Sequence, residues 1–523
     1  MEKEHQITQT LKQTAKKSIF RTIFSRSFIF ASLLLLQLFT YFILLSSIII
    51  TGNVKYVLSV VITVIAGFII INKNDNPMYT ITWLFLILGF PVFGIFIYLF
   101  VSIQPQAGKL SKLYRKEFAR TKSTLIPNQE NQENLKKENK NIYNLSNYLY
   151  KYSGTIFDNN SKTEFLNSGE SKFEALKKDL LNAKKFIFIE YFIIGEGYMW
   201  ESILEILKQK AQEGVEIRVM YDGTCTYSRL PIKYPKELAS YGSKCKVFSP
   251  IRPVFTTYQN NRDHRKIVVI DGDIAYTGGI NLSDEYINLK QPYGQWRDAS
   301  IRICGKATDN FTLMFLQIWN MREKEKEAFD KYINIASSYE SDGFVTGYGD
   351  TPYDNERIGE NVYLSMINSA TNYVHIITPY LVPSYEMIQA LTFAAKRGVD
   401  VKIIMPSNPD KKYAFWLARN YYYPLIENGV QIYEWQPGFI HSKIFIVDDI
   451  QAVVGTINMD FRSLFLHLEC GSYLYKNSQI SVIEKDFQDV LTQCTQIDLD
   501  FLNNLPFIQK FCSKLLKLFA PLL

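Results

Sequence analysis

Apolar and polar positions divide the chain into two texts. In the first, three apolar stretches, Phe28–Ile50, Val57–Ile71 and Tyr79–Ile103, follow one another, and residues 27–108 carry only three charges, Lys55, Lys73 and Asp75. The outer two exceed the roughly 20 residues that a helix needs to cross a ~30 Å hydrocarbon core; the middle one is short. The apolar core of a signal peptide usually runs about 7 to 15 residues and ends in small residues. Here the first stretch ends in Ile48–Ile50 and more apolar sequence follows. The pattern predicts N-terminal transmembrane helices near 28–50, 57–71 and 79–103, with Gly89, Pro91 and Gly94 placed to break the third.

The second text begins after residues 127–144, PNQENQENLKKENKNIYN, which read as a polar linker or loop. Beyond it, short β-branched runs alternate with helical stretches, the rhythm of an α/β fold. That rhythm occurs twice. FIFIEYF (186–192) matches VHIITPY (374–380), GVEIRVMYD (214–222) matches GVDVKIIMP (398–406), and DHRKIVVIDGDIAYTGGIN (263–281) matches IHSKIFIVDDIQAVVGTIN (440–458). So long a period denotes a duplicated domain, not a solenoid. The expected organisation is a basic tail (1–26), membrane segments (27–108), a basic flank and linker (109–160), two α/β domains (161–340 and 341–500) and an amphipathic C-terminal helix (501–523). In that helix Lys510, Lys514 and Lys517 oppose Phe511, Leu515 and Leu518.

The best-matched segment carries the candidate chemistry. His264, Lys266, Asp271, Gly278 and Asn281 recur as His441, Lys443, Asp448, Gly455 and Asn458, at offsets of +2, +7, +14 and +17 from the histidine in both copies. His and Lys two apart on a strand share a face, and an ammonium beside an imidazole suits a phosphate diester. The Lys screens the non-bridging oxygens while the His attacks phosphorus or moves a proton. Packing would repeat apolar and Gly positions, but it gives no reason to repeat a Lys, which is rarely buried unpaired. Asp271 and Asp448 have the opposite parity and fall in hairpin-type turns, so they read as anchors of the motif, through the Lys or the backbone. Exchange at phosphorus needs a nucleophile and an acid/base, and two facing copies supply both.

Composition narrows the class. Thirty-four Tyr and 36 Phe exclude a disordered chain. Six scattered Cys without a CxxC pair give neither a disulfide framework nor a zinc spacing. No nucleotide loop or metal cluster is legible, so no cofactor and no metal are expected. Of the net charge of +7, residues 1–26 hold +4, residues 27–108 hold +1 and residues 109–122 hold +5, which leaves residues 123–523 three net negative charges. The basic excess flanks the membrane segments, where anionic headgroups attract it, and this argues against nucleic acid as a partner. Both flanks belong in the cytoplasm by the positive-inside rule. That needs an even number of crossings, in tension with three apolar stretches. His5, His375 and His467 read as structural or tail residues, and Glu190 and Tyr191 as possible lining of an acceptor pocket.

HRKIVVID (264–271) and HSKIFIVD (441–448) are both HxKxxxxD, and the chain thereby resembles the phospholipase D superfamily. NNRDHRK (260–266), YTGGIN (276–281), QWRDASIRICG (295–305), GVQIYEWQPGFIHSK (429–443) and VGTINMDFRS (454–463) resemble the bacterial cardiolipin synthases in particular, over roughly residues 57–523. The resemblance implies two α/β/α sandwich domains with the active site between them. It also implies phosphatidyl transfer between two phosphatidylglycerol molecules through a phosphohistidine, at a membrane and among its lipids. His264 takes the nucleophile's role and His441 the acid/base's. Asn281 and Asn458 bind phosphate. Glu469 orients His441, Asp298 is the equivalent acid in the first copy, and Thr456 is a hydroxyl donor present on one side only. A hydrolase on the same scaffold is the alternative, acting on phospholipid or, less favoured, nucleic acid; a vestigial lipid-binding protein is a third. The oligomeric state stays open.

Overall fold

The computed structural model describes Leu35, Phe39 and residues 54–73, 76–102, 105–251 and 260–522. The expected span at 28–50 therefore lies outside the described residues, those two positions apart. The chain divides into two compact units, one mostly the N-terminal 107 residues and the other mostly residues 108–250 and 260–521.

In the N-terminal unit three apolar helices, Val54–Ile71, Pro77–Gly89 and Pro91–Ser102, pack on one another around Ile70, Trp83, Ile87 and Tyr98. The second begins where Asn76 accepts a hydrogen bond from the Met78 amide ahead of a first-turn proline. It stops at Phe90, so the third apolar stretch is two helices, not one. At Gly94 a side chain would stand 2.6 Å from the Leu86 carbonyl, and glycine lets the two backbones close on each other there. Among the described residues, Pro91–Thr121 is the one stretch long and apolar enough to cross a membrane by length and composition. Phe68 and Leu88, about 70% exposed on the outward surface, are as apolar as the core.

The larger unit holds the duplication. Its first half forms β1 (Ser161–Leu166), β2 (Phe186–Tyr191), β3 (Glu216–Asp222), β4 (Lys244–Phe248), β5 (Lys266–Ile270), β6 (Ile274–Gly278), β7 (Gln295–Arg297) and β8 (Ser300–Gly305). The second half forms β9 (Phe344–Asp350), β10 (Tyr373–Ile377), β11 (Asp400–Pro406), β12 (Gln431–Trp435), β13 (Gly438–Ile440), β14 (Ile444–Val447), β15 (Gln451–Gly455), β16 (Glu469–Tyr475) and β17 (Cys494–Ile497). One sheet runs β1-β8-β6-β5-β2-β3-β4. The other runs β9-β16-β15-β14-β10-β11-β12 in the same topological order and adds β17 at its end. Strands such as FIFIEY are buried at every position because helices cover both faces. Thr308–Asn320, buried along its whole length, packs on β2, β5, β6 and β8 of one sheet and on β9 of the other.

The polar text at 127–144 departs from its expected loop. It forms helices Gln129–Glu138 and Lys140–Ser153, each started by an asparagine, Asn128 and Asn139, that accepts from backbone amides. Leu135, Ile142, Leu145 and Leu149 on these helices enter the core of the second half, so a few well-spaced apolar residues suffice to dock them.

Candidate active site

The hairpins β5–β6 and β14–β15 set the site. Asp271 and Gly272 turn the first with φ of 55° and 70°; Asp448 and Asp449 turn the second with 55° and 56°. Asp271 accepts from the amides of Lys184, Lys185 and Phe186 at 2.6 to 2.9 Å. Asp448 accepts from those of Thr371, Asn372 and Tyr373 at 2.7 to 2.8 Å. Both aspartates thus clamp the start of the neighbouring strand, at the end of β5 or β14 away from the histidine. Of the two anchoring routes the structure has the backbone one, not the motif lysine, and a strand's length separates both aspartates from the reacting atoms, so neither is a catalytic residue.

At the other end of those strands the two histidines lie just before β5 and β14, buried, each 7% exposed. His264 Nδ1 lies 3.0 Å from Glu469 Oε2, and His441 Nδ1 lies 2.7 Å from Asp298 Oδ2. The pairing is therefore crossed between the halves. Glu469, expected to orient His441, instead holds His264, while Asp298 of the first half holds His441. The reason is backbone geometry. The His264 amide donates to the Leu468 carbonyl at 2.9 Å and the His441 amide to the Arg297 carbonyl at 2.7 Å. Each histidine is thus laced to the residue just before the other half's carboxylate, and β7 pairs with β13 in parallel to extend the second lace.

The two carboxylates are built differently. Glu469 also accepts from the Thr456 hydroxyl and, at 2.5 Å, from the Ser463 hydroxyl. Thr456, the hydroxyl donor present on one side only, is spent on this carboxylate. The position equivalent to Thr456 is Gly279, where a side chain would stand 2.1 Å from Asp298 Oδ1, so glycine makes room for that carboxylate. Asp298 itself accepts from the Ala299 amide at 2.8 Å. Burial would raise Glu469, but His264 beside it outweighs that and holds it below the ordinary carboxylate range. Asp298 is pushed up to about 7 by burial, against the pull of Lys443 and the Ala299 amide.

Lys266 and Lys443 are buried, and each donates to the carbonyl of its own histidine, at 2.5 Å for Lys266. Burial lowers Lys266 to about 8 and Lys443 to about 7. It also lowers His264 to about 3 and His441 well below its ordinary value, so both imidazoles are neutral at pH 7. With Nδ1 held by a carboxylate, Nε2 is on each ring the nitrogen without a protein partner among the described residues. Asn281 is consumed structurally, accepting from the Ile193 amide at 3.0 Å and donating to the Tyr286 hydroxyl at 2.6 Å. Asn458 has a buried side-chain oxygen with no partner.

Several site residues left no mark in the sequence. Phe192 stands edge-on to His264 with centroids 4.8 Å apart. Tyr286, Trp296 and Phe439 surround His441 at 5.5 to 5.8 Å. Lys172, fully buried on a helix that looks solvent-facing, donates to the Tyr191 hydroxyl and the Ile280 carbonyl at 2.8 and 2.9 Å and so fixes the loop carrying Asn281. Glu190 pairs with Arg265, so neither it nor Tyr191 is left to line a pocket. His375 fulfils its structural reading, bonded to Glu484 at 3.0 Å and stacked between Tyr373 and Phe487. His467 does not: its ring lies 5.6 Å from that of His264 and its Nδ1 3.6 Å from Glu469. His264, His467 and Glu469 offer ligand atoms within 4.8 Å of one another, a set a metal ion could use only by competing with His264 for Glu469.

With two His–Lys pairs and crossed carboxylates in view, likeness to known proteins becomes informative. The family model described as "Cardiolipin synthase, PLD-like domain" matches residues 176–319 and 363–491. The chain belongs to this family. A "Phospholipase_D-nuclease N-terminal" model matches residues 61–102, within the apolar helices. The chain is 34% identical to a cardiolipin synthase of Alkalihalophilus pseudofirmus over 90% of this chain and 94% of that one. It is 33% identical to a cardiolipin synthase 2 of Bacillus cereus, over 87% and 89%. The fold resembles that of a phosphatidylserine synthase of Haemophilus influenzae, with a TM-score of 0.54 and 16% identity, covering 69% of this chain and 93% of that one. The duplicated α/β fold of the larger unit is thus a phospholipase D-like one.

Proposed function

We propose that this chain is a cardiolipin synthase, a phosphatidyltransferase that joins two phosphatidylglycerol molecules and releases glycerol. The observation that carries the reading is the crossed pairing: each motif's histidine is completed by a carboxylate of the other motif. A site assembled only by both copies suits a reaction with two chemically distinct steps.

Lys266 and Lys443 hold the donor's phosphate. Nε2 of neutral His264 attacks phosphorus, and the phosphorus–oxygen bond to glycerol breaks as the His441–Asp298 pair, carrying one extra proton, hands a proton from His441 Nε2 to the leaving oxygen. A hydroxyl of the second lipid then attacks the phosphatidyl-histidine, gives its proton to His441 and frees His264. Glu469, kept ionised, stabilises the positive charge that His264 acquires in the phosphoenzyme. Asp298, titrating near neutrality, lets its pair with His441 gain and lose a proton. Residues 161–340 and 341–500 are then the two catalytic domains. The N-terminal helices anchor them with both basic flanks on the cytoplasmic side. The C-terminal helix, with Phe507 and Ile508 80% and 70% exposed, rests in the headgroup layer. Purified protein given labelled phosphatidylglycerol should form cardiolipin and glycerol in equal amounts. Phosphatidic acid without cardiolipin would instead make it a hydrolase.

A further inference from the structure

Cardiolipin contains two phosphate diesters, and the reaction centre accounts for one. Lys266 and Lys443 serve the phosphate that changes partners. The acceptor lipid brings its own phosphate, three glycerol carbons from the attacking hydroxyl, into a cleft where an unmatched anion is costly.

A half-open cavity of about 80 Å³ in the larger unit is lined by Tyr380, Lys411, Tyr413, Asp460, Arg462 and Ala520, among others. Lys411, Arg462 and Asp460 are the charged residues of its lining. Lys411 has no carboxylate partner among the described residues and sits over the Tyr380 ring, 5.2 Å from its centroid. By contrast, Arg229 is paired with Glu285, Arg297 with Asp486 and Arg419 with Glu434. Of the acids near Lys411, Asp460 accepts from the Ser463 amide at 2.8 Å, and Asp410 accepts from the Tyr380 hydroxyl at 2.7 Å through Oδ2 while its Oδ1 is buried without a hydrogen bond.

The cavity is linked to the surroundings of His441 through Tyr380 and Lys411. Tyr380 packs on the core that includes Tyr286, Trp296 and Phe439, the rings around that imidazole. On another side the Val382 amide donates to the Met459 carbonyl at 2.8 Å, next to Asn458 with its unpartnered oxygen. Lys411 is also among the charges whose field depresses His441, after burial, Lys443 and Lys266. The remaining wall, Ala520, follows the helix Phe507–Phe519, whose apolar face is open to lipid at Phe507, Ile508 and Phe511.

We propose that this cavity binds the phosphate diester of the acceptor lipid, with Lys411 as its counter-cation, so that the acceptor's free hydroxyl reaches His441. The inference rests on the transferase reading above and adds to it the second substrate's site. Glycerol, which lacks a phosphate, can also resolve the phosphoenzyme and regenerates phosphatidylglycerol.

The test is the ratio of cardiolipin formed to labelled glycerol exchanged into phosphatidylglycerol, measured with the full chain in vesicles of phosphatidylglycerol. Lys411→Ala should lower the ratio about tenfold and Lys411→Glu at least as much, while Lys411→Arg keeps it within about twofold. A misfolded variant loses both products together, so an unchanged ratio in Lys411→Glu overturns the site, whatever the total rate. A wild-type protein that exchanges glycerol and never forms cardiolipin overturns the function instead.

Discussion

The two histidines occupy matching slots in matching sheets, yet their surroundings differ. His264 faces a glutamate that His264 itself and then His467 keep ionised, that accepts from two hydroxyls as well, with one aromatic ring edge-on to His264. His441 faces an aspartate with a single amide for support, inside a ring of Tyr286, Trp296 and Phe439. A carboxylate rich in donors stays an anion, and a poorly solvated one takes up a proton. Duplication supplied two equal parts, and local solvation made them unequal. That inequality supports His264 as the covalent nucleophile and His441 as the proton carrier.

The largest effect should come from the histidines. His264→Ala and His441→Ala are each expected to lower cardiolipin formation roughly 10³-fold or more. With a p-nitrophenyl phosphodiester, whose leaving group needs no proton, His441→Ala should still release a stoichiometric burst and His264→Ala should not. A burst in His264→Ala alone would reverse the roles. The carboxylates come next. Glu469→Gln should cost roughly 10³-fold in kcat, and Asp298→Asn roughly ten- to a hundredfold, because only Glu469 is an anion throughout the working range. Equal losses would dissolve the contrast between the halves.

A smaller effect concerns pH. Lys443 and Lys266, lowered to about 7 and about 8 by burial, lose their charge as pH rises through those values. kcat/KM should therefore fall on the alkaline side, between about pH 7 and 8. Lys443→Arg, which stays charged, should carry that limb upward, and an unmoved limb would assign it to another group. The smallest effect on chemistry is expected at Asp448. Burial opposes its ionisation, but the amides of Tyr373, Thr371 and Asn372 prevail and depress its folded pKa. Its contribution to stability is present above the unfolded value and is lost as pH falls through the folded one. Asp448→Ala should lower Tm, by about 1 to 2 kcal/mol of stability given its partial exposure, and leave turnover per folded molecule intact. A collapse of turnover without a change in Tm would return Asp448 to the chemistry.

Much of this was legible because it repeats. Two HxKxxxxD segments at identical offsets mark the motif, its strands and its hairpins, since side-chain alternation along a strand and positive-φ turns are local properties. Asp298 and Glu469 could be picked out as the supporting acids, but not matched to their histidines. A sequence offset measures distance along one copy, whereas the match is made by backbone pairing between copies, His264 to Leu468 and His441 to Arg297. His467 and Lys172 were undervalued for a related reason. A lone His near a strand end and a Lys on a helix look ordinary until the fold buries them against Glu469 and Ile280. The polar helices at 129–153 show the converse, in which caps and a few leucines outweigh a composition that reads as loop.

The sequence by itself determined the duplication, the strands, the motif residues and the apolar N-terminal helices, because each depends on residues close along the chain. Only the tertiary structure decided which carboxylate serves which histidine, that the motif aspartates are clamps, and that one carboxyl is solvated by hydroxyls and the other by little more than one amide. These depend on what two halves, 177 residues out of step between His264 and His441, bring into contact. Proton affinity is set by that contact, and no single stretch of chain contains it.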